Sequence, residues 1–286
     1  MSPRVAVVTD STSYLPTQVA LDHHIRKVPV QVIVSGRAYS EGVDITTAEV
    51  AEALRDWQVV STSRPSPADF LKAWGQAVEG GADAVVSAHL SSDLSGTFET
   101  ALLAAQEAPM PVEVVDSRTL SMALGFACIT GAELAEQGAD MEAVAEAITS
   151  RAVASDVLFY VDTLEYLRRG GRMGKAAAAF GTALRVKPIL HVEDGRVAML
   201  EKARTTGRAL NRLAELAIEL IERADHGVDV AVQHIDAVDK AEQLAATISE
   251  RVPDLDIVPI EIGAVVGAHV GPGMVSVAVV PRIARA

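Results

Sequence analysis

In the first half of the chain short apolar runs alternate with helical stretches, and the runs end in loops crowded with hydroxyls. Residues 83–90 read as a buried strand and 98–105 as a helix, with Ser91, Ser92, Ser95 and Thr97 between them. Residues 5–9 are a second apolar strand, ending in Thr9-Asp10-Ser11-Thr12-Ser13 ahead of a helix that Pro16 opens and that runs to about residue 24. Residues 25–34 read as one strand, Ser35-Gly36-Arg37 as a turn, and Thr46 with Glu49 as the capping box of a helix to about residue 55. Ser61-Thr62-Ser63-Arg64-Pro65-Ser66-Pro67 is a third hydroxyl-rich loop, in which Ser66 caps a helix with Pro67 at its first position and Asp69 at its third. After a strand over 112–115, Asp116-Ser117-Arg118-Thr119 makes a fourth, and helices follow over 121–137 and 141–154.

This alternation predicts a three-layer α/β/α unit built on a mostly parallel sheet, over residues 1–155. Ligands of such sheets bind outside the C-terminal ends of the strands. Four polar loops at strand ends are therefore expected to converge on one edge. Unpaired N–H groups and the helix dipole point at such loops, so their hydroxyls can cap a helix, bind an anion, or do both.

Residues 156–286 follow a different pattern, and a two-layer α+β unit with a mixed sheet is expected there. Strands are predicted over 157–161, 228–233, 257–260 and 275–280, and a hairpin over 188–201 turns at Glu193-Asp194-Gly195. Helices are predicted over 164–168, 176–184, from about 206 to 224, and over 237–252. Two glycine-rich loops stand out. Arg168-Arg169-Gly170-Gly171-Arg172-Met173-Gly174-Lys175 is the one basic cluster, and residues 263–273 place His269 among glycines.

Composition removes several classes. A net charge of −13, from 25 basic and 38 acidic residues, argues against nucleic acid or an anionic membrane surface as partner. No apolar run is long enough for a membrane span, and residues 1–8 carry no signal-peptide pattern. The single cysteine, Cys128, sits in an apolar helical stretch and fits a reducing, cytoplasmic setting. The histidines show no metal-ligand spacing, so no metal and no cofactor are expected. Lys175 is followed by Ala176, which excludes a Walker loop, and Asp93 stands where the nucleophile elbow of a serine hydrolase needs glycine two residues before Ser95.

Five segments together carry a resemblance: Val8-Thr9-Asp10-Ser11-Thr12, Thr62 to Pro67, Leu90 to Thr97, Gly170-Gly171-Arg172-Met173-Gly174 and Gly267-Ala268-His269-Val270-Gly271-Pro272-Gly273. They look like the DegV family, in the family's order and over nearly the whole chain. The resemblance implies a protein that holds one long-chain fatty acid between two α/β domains and has no catalysis of its own. It also implies a partner, a fatty acid kinase subunit to which the acyl carboxylate is presented for acyl-phosphate formation. Carried over residue by residue, Thr62 and Ser95 would bond the carboxylate, with His269 close by and Ser63, Gly96 and Thr97 in the same binding loops. Arg172 and Arg204 would face the exposed end, toward partner or phosphate. Arg64 stands where the family often has Gln, Phe98 where it often has Tyr, and Tyr14 where a small or acidic residue is common. Two other readings stay open on the residues alone: a stand-alone serine-dependent acyl hydrolase, and a binder of another small amphiphilic or phosphorylated ligand.

Overall fold

The structure, a computed structural model, describes residues 4–174, 186–255, 257 and 259–283. The expected helix over 176–184 and Lys175 lie outside the described residues.

Strand β1 (Val5–Asp10) leads through a short 3-10 turn and α1 (Thr17–Asp22) to β2 (Arg26–Val28). The expected strand over 25–34 is in fact two. Pro29 has no N–H to give a ladder, and beyond it β3 (Gln31–Val34) leaves the first sheet and pairs antiparallel with β4 (Arg37–Ser40). Helix α2 (Thr47–Arg55) starts at the expected capping box of Thr46 and Glu49. The third hydroxyl-rich loop begins as a strand, β5 (Val60–Ser63), which joins the other edge of β3. The convergence of four loops on one edge therefore needs correcting. Three lie at the C-terminal edge of the parallel sheet, and Thr62 comes from a separate antiparallel sheet of order β4-β3-β5.

Helix α3 (Pro67–Glu79) carries the Ser66–Asp69 capping box with proline at its start. Strand β6 (Ala84–His89), helix α4 (Thr97–Ala105) and strand β7 (Val112–Asp116) complete a four-stranded parallel sheet of order β2-β1-β6-β7. One face packs on α3 and α4 through Val8, Val85, Phe70, Trp74, Ala101 and Ala104. The other packs on α5 (Ser121–Glu136) and α6 (Met141–Val153).

The second sheet contains β8 (Asp156–Tyr160), β9 (Lys187–Glu193), β10 (Arg196–Ala203), β11 (Val228–His234), β12 (Ile260–Glu261) and β13 (Val275–Pro281), in the order β10-β9-β8-β13-β11-β12. It is antiparallel except where β12 runs parallel to β11, so it is mixed as expected. Its central strands alternate between two faces. Leu158, Val232, Val275, Val277 and Val279 face the amphipathic helices α8 (Thr206–Glu222) and α9 (Val238–Arg251). Val157, Ala231, Ala278 and Val280 face α5 and α6. Those two helices are thus a layer shared by both sheets.

Two short helices remain, α7 (Glu165–Arg169) and α10 (Ala264–Val270). The second corrects an expectation: His269 lies near the end of a helix, not in an open glycine-rich loop. Its glycine Gly267 is spaced for packing, because a β-carbon there would collide with Ile235. Ala264, Val265 and Ala268 bury α10 against Val30, Val32, Val50 and Leu54 of the small sheet and α2.

Candidate functional site

The loop after β6 is fixed before any ligand is considered. Ser91 N–H donates to Thr119 O (2.8 Å), and Asp116 accepts from Ser92 N–H (3.1 Å) and Ser92 Oγ (2.5 Å). The tip of the β9–β10 hairpin docks on it: Ser91 Oγ donates to Gly195 O (2.8 Å), Arg196 pairs with Asp93 (2.7 Å), and Arg118 donates to Asp194 O. Ser91 and Ser92 are therefore structural, and Ser95 is the hydroxyl of this loop left beside a cavity.

That cavity encloses about 80 Å³ and is open to solvent on one side. Its walls come from both halves of the chain. Leu90, Leu94, Leu120, Val157, Phe159, Val192, Val197, Val266 and Met274 make them overwhelmingly aliphatic. The polar lining is Thr62, Ser95, Ser121, Arg172, His269 and Ser276, with Arg172 the only charged side chain among the described residues.

Packing of α10 against the small sheet brings Thr62 and His269 together across 207 positions of sequence, Thr62 Oγ1 to His269 Nε2 at 2.8 Å. Burial, and then the nearby Arg172 guanidinium, lower the imidazole to about 4. It is therefore neutral near pH 7 and carries one ring proton. Nδ1 is shut from solvent without a partner among the described residues, whereas Nε2 has Thr62 Oγ1 as acceptor, so the proton belongs on Nε2. The Thr62 hydroxyl then keeps its own proton to donate elsewhere. Gly170 is required here, because a β-carbon at that position would collide with His269 Nδ1.

The other anticipated residues divide. Thr97 is buried and bonds Ser95 Oγ (2.8 Å), and Gly96 is the N-cap of α4, close to the Arg64 side chain. Ser63 points the opposite way from Thr62, as strand alternation demands, and is exposed. Arg172 is half-buried in the cavity wall, its Nε donating to Leu94 O (3.1 Å) and Nη1 to Gly170 O (2.6 Å). Arg204 is exposed at the end of β10 and does not line the cavity. The two arginines expected together at an outer face are thus in different surroundings.

Ser87, His89 and Asp10 resemble a hydrolytic triad in distance alone. Asp10 Oδ2 lies 3.1 Å from His89 Nδ1, and His89 Nε2 lies 2.8 Å from Ser87 Oγ. All three are 0% exposed, and Ser87 Oγ also accepts from Trp74 Nε1 (3.0 Å). The group is a closed core network without access for a substrate. Ser95 bonds Thr97 and has no histidine or carboxylate partner among the described residues.

One important residue carried no signal in the sequence. Glu41 is buried, and its carboxylate accepts from Ser11 Oγ (2.5 Å), Val265 N–H (2.7 Å) and Tyr14 OH (3.4 Å). Tyr14 OH in turn accepts from Val266 N–H (3.1 Å). Together they hold the first turn of α10, the helix that carries His269. Burial raises the Glu41 carboxyl to about 7, against the pull of those bonds. A lone Glu in a polar stretch looks solvated; only the fold, 224 positions away at Val265, reveals its partner. Among the described residues, no group of three or more His, Cys, Asp or Glu side chains is placed to hold a metal, and no helix is long and apolar enough to cross a membrane.

A family model described as "Uncharacterised protein, DegV family" matches residues 4–282. A DegV domain-containing protein of Streptomyces coelicolor is 48% identical over 283 residues, covering 99% of this chain and 100% of that one. Among solved structures, a DegV family protein from Thermus thermophilus described as fatty acid binding superposes with a TM-score of 0.89 at 34% identity, covering 98% of this chain and 100% of that one. DegV from Bacillus subtilis, described as a fatty acid binding protein, superposes with a TM-score of 0.88 at 31% identity and the same coverage.

Proposed function

The chain belongs to the DegV family, and from that premise we propose that it binds one long-chain fatty acid in the cavity between its halves, as a carrier without catalysis or cofactor of its own. The observation that carries this reading is an aliphatic cavity with Thr62, Ser95, His269 and Arg172 on its wall. The chemistry matches a carboxylate. Neutral His269 leaves the Thr62 proton free to donate, Ser95 offers a second hydroxyl, and Arg172 supplies a positive charge, the one such side chain lining the cavity among the described residues. The tail dominates affinity: burying about 14 methylenes at ~0.8 kcal/mol each contributes roughly 11 kcal/mol before entropy costs. Hydrogen bonds to the carboxylate add about 1.5–3 kcal/mol each and fix its orientation.

The family resemblance extends the proposal to a cytoplasmic partner, a fatty acid kinase subunit that receives the carboxylate and makes the acyl phosphate. Exposed Arg204 is available to such a partner, whereas half-buried Arg172 serves the ligand.

Native mass spectrometry of the purified protein, followed by lipid extraction after denaturation, tests the reading. One fatty acid per chain is expected, with retention reduced by roughly tenfold or more in the Thr62→Ala/Ser95→Ala double variant. A clean unliganded mass that takes up no added C14–C18 acid would overturn it.

A further inference from the structure

A second polar group stands on a different wall of the same cavity. In the six-stranded sheet Gln233 pairs directly with Ser276, and Ser276 with Phe159, so the three side chains share one face. Phe159 and Ser276 line the cavity, as does Ser121 at the start of α5. Ser121 Oγ donates to Gln233 Oε1 at 2.7 Å. Gln233 lies behind the residues that line the cavity, is 0% exposed, and its Nε2 has no partner among the described residues. Ser121 makes this bond from a left-handed backbone, φ +65°, a conformation that residues with a β-carbon rarely adopt.

A wall meant only for an alkyl chain has no use for these groups. Valine or leucine would pack there without a buried amide to satisfy. The amide has one end committed to Ser121 and one end open. Turned over, its nitrogen would face Ser121 and its oxygen would be the open end. A hydroxyl both donates and accepts, so it satisfies the amide in either orientation, and Ser121 and Ser276 present two further hydroxyls to it.

We propose that Ser121 and Ser276, backed by Gln233, form a second polar subsite that takes a hydroxyl group carried part-way along the acyl chain, so that the cavity selects a hydroxylated fatty acid over the plain one. The proposal rests on the fatty-acid reading and names the ligand class within it.

The test is a competition read by native mass spectrometry. The full chain, stripped of lipid, is offered stearic acid together with stearic acids hydroxylated at successive mid-chain carbons. One or two positional isomers are expected to be held over stearic acid by roughly tenfold, the worth of one or two well-placed hydrogen bonds. The other isomers are expected to lose, because their hydroxyl is buried against aliphatic wall. Gln233→Met and Ser276→Ala should each bring the ratio of the favoured isomer to stearic acid down to one or below. If Gln233→Met does not fold, Ser276→Ala alone decides. Wild-type protein that holds stearic acid over every isomer overturns the proposal and leaves the wall to a buried water; a preference that persists in the variants overturns it too. Failure to take up any of the acids is a different result, which removes the fatty-acid reading and this subsite with it.

Discussion

At the scale of single residues, His269 sets the chemistry of the polar wall that it shares with Thr62. A charged imidazole would itself attract a carboxylate; the neutral one works through Thr62. Its titration has a measurable consequence for stability. An unfolded histidine titrates near 6.5, and the folded one, desolvated and beside Arg172, near about 4. The unfolded chain therefore binds the proton first as pH falls, so the stability that the neutral ring contributes is present above about 6.5 and lost progressively down to about 4. The full difference is on the order of 3 kcal/mol. Thermal unfolding of wild type and His269→Asn across this window is expected to show the wild type losing more on acidification. Parallel profiles would mean that the ring titrates as an exposed one. The hydroxyl-rich loops were conspicuous in the sequence, but Thr62 and Ser95 were singled out within them only by the family resemblance. Ser63 was not distinguishable from Thr62, because only knowing that residues 60–63 form a strand tells the two faces apart.

At the scale of elements, α10 is the piece that assembles the site, and Glu41 holds its first turn. A carboxyl raised to about 7 is held in its protonated form more firmly by the fold than by the open chain. Its contribution is fully present below about 4.5 and is lost as pH rises through about 7. Asp10 adds to the rise, while Ser11, Tyr14 and the Val265 amide oppose it; Lys27 faces the same carboxylate, and Asp44, Glu49 and Glu261 line the adjoining cleft. Glu41→Gln keeps an acceptor for Val265 and cannot ionise. Its stability relative to wild type is expected to grow between pH 5 and 8, by up to about 3 kcal/mol, measured by denaturant unfolding at each pH. A flat difference would show that Glu41 ionises there without cost. Elements set by local signals were legible in the sequence: both capping boxes, the hairpin turning at Gly195, and the amphipathic α8. The small sheet was not. Its strands are short, half-polar and interrupted by Pro29, and it exists because α2 and α10 bury its other side. Helix α10 looked like a loop for the same reason, since its glycine content reflects a tight fit against Ile235 that lies outside its own sequence.

At the scale of the whole molecule, two sheets share the layer formed by α5 and α6, and the cavity opens where that layer, the small sheet and the hairpin meet. The parallel sheet followed from the alternation of strands and helices, and the mixed one from the different pattern of residues 156–286 with its hairpin; how the halves seat on each other did not, because no local pattern marks Ala231 or Ala278 as facing a helix of the first half. A ligand that fills this junction binds only the folded chain. Delipidated protein is therefore expected to melt lower than the same protein with a long-chain fatty acid at a hundredfold excess over its Kd, by the equivalent of ~2.7 kcal/mol. Scanning calorimetry at two ligand concentrations checks this, and a melting temperature indifferent to ligand would mean that the cavity stays empty. The hairpin tip sets how far apart two of the walls stand. Leu94 and Ser95 on one side and Val192 and Val197 on the other are cavity walls, and Ser91–Gly195 and Asp93–Arg196 fasten those sides together. Ser91, Asp93, Gly195 and Arg196 are not among the residues that line the cavity, so the spacing of its two walls is held by bonds that an occupant would not meet.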